Sequence, residues 1–356
     1  MGGQRRLWWG MTGLDVLPSS DPTSILRYRD GIYAADILTA AVVEFRIFDY
    51  LAEHPATLAD LCGHFDWAER PADVLITLCK ANGLLSEDAD GTLTLTAKSR
   101  EHLCEGSPWN LTMYYDSLRD RPVVADYVRV LKTDKPAHWS GLEEADDDWH
   151  GAMLQEDFAR TFTAAMDCRG VFLGKKLADV AGDWLGSSRR LIDIGGGSGV
   201  YACALAANFP ALEVTVLEQE PVDAIAREKI AERGLAERVS VKVGNMFEDE
   251  WPEGADVHLF SNVMHDWGIA EVAALLKRSR QMIASGGTVL IHETFLNNEK
   301  TGPLPVAEYS CILAHSTQGR CYAVSEMERF MSESGFESLG YRDTGGDRGV
   351  IAGRAV

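Results

Sequence analysis

A glycine-rich segment in the middle of the chain has the composition of a ligand-binding loop. A mostly apolar stretch at residues 191–194 runs directly into Gly195, Gly197 and Gly199. Glycine lets the backbone turn tightly and approach a ligand, because no side chain stands in the way. The spacing is G-x-G-x-G, whereas dinucleotide-binding loops read G-x-G-x-x-G. Asp193 precedes the glycines, and its carboxylate would repel a pyrophosphate but suits a cationic ligand with an amino group.

Two further positions extend this pattern to a nucleoside. Glu218 ends the next apolar stretch, where a carboxylate can accept hydrogen bonds from both hydroxyls of a ribose. Asn245 follows a third stretch and precedes Met246 and Phe247. An amide can hydrogen-bond the edge of an adenine, and apolar side chains can pack on its face. Together these residues predict a ligand with an adenine, a ribose and a charged, amino-acid-like end.

His265 is the candidate for acid–base chemistry. It is followed by Asp266 and Trp267, after a fourth apolar stretch and before a helical pattern. A histidine titrates near neutral pH and can therefore remove a proton from a hydroxyl group. Such a histidine is more often structural when it stands alone, so its significance depends on the glycine loop upstream.

Strand and helix patterns alternate in the second half of the chain and would position these residues. The predicted strands are residues 191–194, 214–217, 239–243, 257–260 and 288–291, and the predicted helices are residues 201–208, 221–233 and 270–283. This order predicts an α/β fold, with an open, mostly parallel, Rossmann-like sheet that has helices on both faces. Ligands bind such sheets at the carboxyl ends of the strands.

The first part of the chain has a mostly helical pattern. Apolar residues recur at helical spacing from about residue 24 to residue 51. Thr57 is placed to cap a helix, and Pro71 lies near the start of a second helix that stops at Gly83. Residues 84–95 then have the pattern of a β-hairpin. This order predicts an all-α/winged-helix domain.

The charge of the chain argues against nucleic acids as partners. Asp and Glu number 54 against 34 Lys and Arg, which gives a net charge of -20. A surface this negative repels phosphate backbones and anionic membranes. The second helix of the winged helix also places Arg70 and Lys80 beside Glu69 and Asp73, which is poor for reading a major groove. We therefore expect no nucleic acid and no membrane as a partner.

Composition restricts the remaining classes of site. No apolar run approaches the roughly 18 residues that a membrane-spanning helix needs. The seven cysteines include no C-x-x-C pair, so we expect reduced thiols in a cytoplasmic protein and no zinc site. The acidic run at residues 143–148 lacks calcium-loop spacing and is interpreted as a solvated loop. We expect no metal.

Four motifs occur in an order that resembles the class I S-adenosylmethionine methyltransferases. They are residues 191–199, 218–221, 244–247 and 265–267. Most of the chain is similar to the small-molecule O-methyltransferases typified by plant caffeic acid enzymes and by bacterial polyketide and phenazine enzymes. The resemblance implies residues 1–22 as a flexible leader, 23–105 as a winged-helix dimerisation domain, 106–182 as a helical linker that contributes to the substrate pocket, and 183–356 as the cofactor-binding catalytic domain.

The resemblance also implies a cofactor and roles for individual residues. The cofactor is S-adenosylmethionine, with S-adenosylhomocysteine as its product. Its expected contacts are Asp193, Gly195, Gly197, Gly199, Glu218, Asn245, Met246, Phe247 and Ser261. The expected catalytic residues are His265 as general base, Glu293 as a flanking acid, and Cys321, which replaces a second acid and either lies near the histidine or faces the substrate. The expected substrate contacts are Phe162, Met166, Asp167, Tyr309, Ile312 and His315.

The predicted activity is methyl transfer to a hydroxyl group of a small aromatic or polyketide-like metabolite. Transfer to nitrogen or carbon is an alternative that needs less of a base. A second alternative keeps the cofactor in a decarboxylase or rearrangement enzyme, and a third is a DNA-binding regulator. We also expect a homodimer held by the N-terminal helices, because residues 32–48 are too apolar for an exposed helix. The sequence does not specify the acceptor.

Overall fold

A computed structural model describes residues 13–137, 149–186 and 188–356 of the chain. The chain begins with a mostly helical N-terminal part. Its elements are α1 (Thr23–Asp30), α2 (Ala34–Thr39), α3 (Ile47–Glu53), β1 (Ala56–Thr57), α4 (Leu58–Phe65), α5 (Glu69–Ala81), β2 (Leu85–Glu87), β3 (Thr92–Leu95), α6 (Ala97–His102), α7 (Thr112–Asp116) and α8 (Pro122–Thr133). The three strands form an antiparallel sheet in the order β1-β3-β2. The predicted order of two helices and a hairpin is therefore present in α4, α5, β2 and β3.

Local sequence signals account for two boundaries in this region. Thr57 begins α4 with a capping box, in which its hydroxyl accepts from the Asp60 N–H at 3.2 Å and the Asp60 carboxylate accepts from the Thr57 N–H at 2.9 Å. The periodic stretch before it does not form one helix. A π-helical turn at Ala40–Glu44 follows α2, and Arg46 adopts a left-handed conformation with φ of 50° before α3 begins.

The connecting part contains α9 (Trp149–Met153) and α10 (Glu156–Leu185). Helix α10 continues to Leu185, past the boundary expected after residue 182, with Leu177 and Ala181 buried on one face. Gly170 lets this helix lie close to the next one, since a Cβ there would stand 2.3 Å from Val200 Cγ1. The long helix is thereby fixed against the C-terminal sheet.

The C-terminal part contains the predicted sheet. Its elements are β4 (Arg190–Ile194), α11 (Val200–Asn208), β5 (Glu213–Glu218), α12 (Val222–Glu232), β6 (Val239–Val243), β7 (Val257–Ser261), α13 (Ile269–Met282), β8 (Thr288–Glu293), α14 (Leu304–Ser316), α15 (Val324–Glu333), β9 (Phe336–Gly345) and β10 (Arg348–Ala355). The strand order is β6-β5-β4-β7-β8-β10-β9. The first five are parallel, and β10 pairs antiparallel with both β8 and β9. The last two strands were not predicted, because glycines interrupt their alternation.

The two halves share a hydrophobic core through α14. Val306, Ala307 and Ile312 of this helix are buried in the same cluster as Leu75 of α5. Helix α14 thus follows the sheet in sequence but packs with the N-terminal helices in space. Among the described residues, no helix has both the length and the apolar character needed to cross a membrane.

The leader differs from expectation in its second half. Residues 1–12 lie outside the described residues, as does the acidic run at 143–148. Leu14, by contrast, is fully buried in the core of the C-terminal part, and its carbonyl accepts a hydrogen bond from the Asn208 side chain at 2.7 Å.

Candidate active site

A cavity of about 410 Å³ lies at the carboxyl ends of the parallel strands. The glycine loop after β4, Glu218 of β5, Asn245 after β6 and Ser261 of β7 line one side of it. Helices α10 and α14 contribute the other side. Because the strand order is β6-β5-β4-β7-β8, residues that are distant in sequence meet at one edge of the sheet.

The glycine loop leaves room in the cavity. Gly195 and Gly197 both line it and both have positive φ values, 66° and 57°. A Cβ on Gly195 would lie 3.2 Å from Val263 Cγ2 and 3.6 Å from Met246 Sδ, two side chains that also line the cavity. Glycine at this position therefore keeps open the space between Met246 and Val263, where a ligand can enter.

Two residues of the motif lie beneath the loop and not on the cavity wall. Asp193 is completely buried, and its Oδ2 would be 2.7 Å from a Cβ on Gly196. Burial raises the pKa of Asp193 to about 7. Gly199 begins α11 with φ of 72° and faces Ile230 and Val216. Asp193 and Gly199 were expected to contact the ligand, but neither lines the cavity. Both residues instead shape the loop.

Glu218 faces the cavity between the loop and the end of β6. Its Oε2 accepts a hydrogen bond from the Gly197 N–H and its Oε1 from the Gln219 N–H, each at 2.9 Å. Each carboxylate oxygen can accept a second hydrogen bond, so the group can still bind two ligand hydroxyls. Burial raises the pKa of Glu218 to about 7.

Asn245 and its two neighbours line the cavity beside Glu218. The Asn245 Oδ1 accepts from the Phe247 N–H at 2.8 Å, and the Asn245 N–H donates to Asp249 at 2.8 Å. The side-chain oxygen thus stabilises a turn that presents Met246 and Phe247 to the cavity. Ser261 lines the cavity and its hydroxyl is 2.8 Å from the His292 Nδ1.

His265 and Glu293 form a buried pair on the cavity wall. The imidazole Nδ1 hydrogen-bonds the Glu293 Oε2. The other carboxylate oxygen accepts from the Val263 and Met264 N–H groups, both at 2.8 Å. Glu293 is therefore fixed by the backbone and orients the ring, which leaves the Nε2 as the acceptor that faces the cavity.

The electrostatic surroundings favour the protonated form of this histidine. Burial lowers the pKa of His265, but the negative charges of Glu293 and Asp266 oppose it and the net pKa lies above the ordinary value. Asp266 Oδ1 is 3.7 Å from the His265 Nε2 and lines the cavity. Burial raises the pKa of Asp266 to about 6. The imidazole is a stronger base than an isolated one.

Cys321 is not part of this pair. It is completely buried away from the cavity wall, with its Sγ 3.1 Å from the Thr294 hydroxyl. Burial raises the pKa of the Cys321 thiol to about 12, so the group is neutral. Cys321 was expected beside the histidine or facing the substrate, and the structure places it in neither position. Asp266, to which the sequence reasoning gave no role, is the second carboxylate near His265.

The expected acceptor contacts divide into two groups. Phe162, Met166, Tyr309 and Ile312 line the cavity. Asp167, one residue after Met166, points away and accepts two hydrogen bonds from Arg233 at 2.8 Å. Successive residues of a helix point in different directions, and here Met166 faces the cavity whereas Asp167 faces Arg233.

His315 also differs from its expected role. It is buried in α14, where its Nε2 lies 3.3 Å from an Asp126 carboxylate oxygen and its ring contacts Tyr33. It packs between the N-terminal helices and does not line the cavity. Ser316 and Thr317, which follow it, do line the cavity.

Comparison with known proteins identifies the family. Residues 125–337 match a family model described as an O-methyltransferase domain. The chain belongs to this O-methyltransferase family. The matched segment includes every residue of the cavity described above except Arg29.

Relatives of this O-methyltransferase match it over nearly its whole length. A 3-hydroxy-5-methyl-1-naphthoate 3-O-methyltransferase from Streptomyces sahachiroi is 29% identical, over 93% of this chain and 95% of that protein. An L-tyrosine C(3)-methyltransferase from Streptomyces lavendulae is 28% identical, over 86% and 84%. A crystal structure of an O-methyltransferase family 2 protein from Planctomyces limnophilus in complex with apigenin superposes with a TM-score of 0.85 at 29% identity, over 96% and 98%.

Family membership confirms the predicted activity class, S-adenosylmethionine as cofactor and the predicted fold class. The residues present fit this cofactor. The opening beside Gly195, the free acceptor sites of Glu218 and the apolar faces of Met246 and Phe247 would receive the amino-acid end, the ribose and the adenine respectively. Within the described residues, no cluster of three or more His, Cys, Asp and Glu side chains is arranged to hold a metal ion.

The O-methyltransferase cavity also contains residues that the sequence reasoning missed. Trp149 and His150 of α9 line it, and the His150 ring stacks on Trp267 with centroids 4.0 Å apart. Arg169 lines it one helical turn after Met166. The signal for Arg169 was its i, i+3 spacing from Met166 on a predicted helix, which places both residues on one face.

Proposed function

We propose that His265 is the general base of this methyltransferase and removes the proton from a hydroxyl group of a small aromatic acceptor. The observation that carries this proposal is the buried His265–Glu293 pair, whose imidazole faces the same cavity as Glu218 and Gly195. Methyl transfer is tested by S-adenosylhomocysteine release with hydroxyaryl acceptors such as hydroxynaphthoates, naphthols and flavones.

The side chains divide the chemistry between them. S-adenosylmethionine, when bound, supplies an electrophilic methyl group on a sulfonium, and S-adenosylhomocysteine is the product. Glu293 holds the Nδ1–H, so the Nε2 of His265 accepts the hydroxyl proton as the acceptor oxygen gains the methyl group. Glu293 and Asp266 then stabilise the imidazolium by their charge. His265 and Glu293 are only 4% and 2% exposed, so little water reaches the pair.

The acceptor class follows from the cavity wall. Phe162, Met166 and Ile312 provide an apolar surface opposite the histidine, which suits a flat aromatic molecule. The relatives support this class, since one is named for a naphthoate, one for tyrosine, and apigenin is bound in a similar structure.

A C-methyltransferase is the second candidate, favoured by the similarity to an enzyme named for C(3) of tyrosine. A phenol attacks through its ring carbon more readily once its hydroxyl is deprotonated, so the same base would serve. Product analysis by NMR distinguishes a methoxy group from an aryl methyl group.

A DNA-binding role has no support, because Arg70 pairs with Asp134 at 2.7 Å and Lys80 is buried against Glu87.

Replacing Glu293 with glutamine is expected to lower kcat by roughly 10- to 100-fold and to move the acidic limb of the rate profile. The base must be neutral to work, so wild-type activity is lost as pH falls through a pKa above the ordinary 6.5 of histidine. The variant keeps the burial that lowers this pKa but loses the charge that raises it. Its acidic limb should therefore lie at lower pH, as measured by kcat/KM against pH.

The matched control is Asp126→Asn, which alters the carboxylate beside His315 outside the cavity. Its profile should follow that of the wild type. An acidic limb at the same pH in the Glu293 variant would show that this pair does not control the titration.

We infer that the protein is a homodimer, although for a reason other than the one expected from the sequence. Most apolar residues of the stretch 32–48, such as Ile37 and Phe48, are buried within the chain itself. Large apolar side chains that remain exposed in the described N-terminal part include Ile25, Tyr28 and Ile32 near α1, and Trp109, Met113 and Tyr114 near α7. Tyr28 is 88% exposed and Met113 75%, which is more than an unpartnered surface usually carries.

Sedimentation equilibrium at micromolar concentration is expected to give the mass of two chains. The double variant Tyr28→Glu and Met113→Glu should shift the protein to monomer, because it places charges in the proposed interface. The matched control Glu53→Gln, on the exposed part of α3, should remain dimeric. A wild-type monomer at these concentrations would contradict the proposal.

All seven cysteines are free thiols, which supports the expected cytoplasmic location.

A further inference from the structure

Arg169 is a buried cation on the wall of the active-site cavity. It lies on α10, one turn after Met166, and is 9% exposed. Its Nη1 is 3.5 Å from the Tyr309 hydroxyl, and its Nε has no hydrogen-bond partner among the described residues. A guanidinium stays protonated at any physiological pH, so this side chain brings a full positive charge to the cavity.

The carboxylate whose charge reaches Arg169, that of Asp30, is paired with other arginines. Arg348 is paired with Asp30 at 3.5 Å and donates to the Asn262 Oδ1 at 3.1 Å. The same Asp30 carboxylate is 3.5 Å from Arg29, which also lines the cavity. One carboxylate therefore serves two other arginines. In the described ranges, no carboxylate lies within ion-pair distance of Arg169 itself.

Two other carboxylates of this region are engaged with the base. Glu293 is bound to His265, and Asp266 lies 3.7 Å from the His265 Nε2. Arg169 therefore brings a positive charge to this wall of the cavity, whereas Arg29 and Arg348 share the Asp30 carboxylate. A buried charge without a partner costs free energy, and a ligand that supplies the opposite charge recovers it.

We propose that the acceptor carries a carboxylate that Arg169 binds, in addition to the hydroxyl group that His265 deprotonates. This inference rests on the proposed function and names its substrate class. A guanidinium presents parallel N–H donors that match the two oxygens of a carboxylate. The relatives named for a naphthoate and for tyrosine both act on molecules with a carboxylate, which supports the same class here.

Tyr309 sets the distance between the two recognition points. Its ring packs edge-on against the His265 ring, with centroids 5.6 Å apart, and its hydroxyl reaches toward Arg169. The carboxylate and the reacting hydroxyl would therefore be separated by about the width of one aromatic ring. Phe162 and Met166 provide the apolar surface for those rings.

The test compares an anionic and a neutral probe that cannot be methylated. Calorimetric titration of the S-adenosylhomocysteine-saturated protein with 1-naphthoate and with 1-naphthamide isolates the carboxylate from turnover. The wild type should bind 1-naphthoate at least about 10-fold more tightly, as expected for charge-assisted hydrogen bonds. Arg169→Met should abolish this preference, and Arg169→Lys should keep part of it, since lysine retains the charge without the fork.

The matched control is Arg342→Met on β9, whose guanidinium lies over Trp184 outside the cavity. Its preference should equal that of the wild type. Equal wild-type affinity for the two probes, failure to bind 1-naphthoate, or an unchanged preference in Arg169→Met would overturn the inference. S-adenosylhomocysteine affinity should be the same in all four proteins. Failure to bind S-adenosylhomocysteine would instead contradict the proposed function.

Turnover provides an independent readout. The ratio of kcat/KM for 3-hydroxy-1-naphthoate to that for 2-naphthol, which lacks only the carboxylate, should fall by about 10- to 100-fold in Arg169→Met. An unchanged ratio in an active variant would show that Arg169 does not recognise the carboxylate.

Discussion

Replacing His265 with alanine is expected to lower kcat by about 10²- to 10⁴-fold, while the dissociation constant for S-adenosylhomocysteine changes by less than about 2-fold. The imidazole Nε2 is the acceptor that the Glu293 contact leaves facing the cavity. Its loss removes the group that accepts the hydroxyl proton, but leaves the glycine loop and Glu218 intact. Product formation and calorimetric titration measure the two effects separately.

His315→Gln is the matched control for this variant. His315 is also a buried histidine beside a carboxylate, but it lies outside the cavity. Its replacement should leave kcat within about 3-fold of the wild type, because it touches no reacting group. A His265→Ala enzyme that keeps the wild-type rate would show that the proton leaves the acceptor by another route, such as direct transfer to water.

Replacing Glu218 with alanine is expected to raise the dissociation constant for S-adenosylmethionine by about 10²- to 10⁴-fold. Two hydroxyl donors to a charged carboxylate contribute roughly 1.5–3 kcal/mol each. Removing the carboxylate also leaves the Gly197 N–H without its acceptor. Calorimetric titration measures the change. The matched control is Glu220→Gln, an exposed carboxylate two residues later, whose affinity should not differ from the wild type.

The same residue predicts a pH dependence of cofactor binding. Burial raises the pKa of Glu218 to about 7, and hydroxyl donors of a bound cofactor would lower it. Binding then releases a proton, so wild-type affinity should weaken as pH falls from about 8 to 6. Glu218→Gln should show a smaller dependence over this range. Equal slopes for the two proteins would assign the titration to another group.

The sequence alone was sufficient for the features that depend on local pattern. Apolar stretches and glycines predicted the succession of parallel strands and helices along the chain, and Thr57 and Pro71 predicted the helices of the winged-helix region. The carboxyl ends of parallel strands meet at one edge whatever the details of packing. Gly195, Glu218 and His265 could therefore be placed in one cavity without coordinates.

Only the tertiary structure decided which side chains reach that cavity. Asp193, Asp167, His315 and Cys321 belong to the right elements but point into the core or toward other partners. Arg169 was overlooked, because its significance arises from carboxylates that are already engaged elsewhere. Side-chain direction and charge balance depend on how helices and loops pack around each position, and sequence spacing fixes only the face of each element.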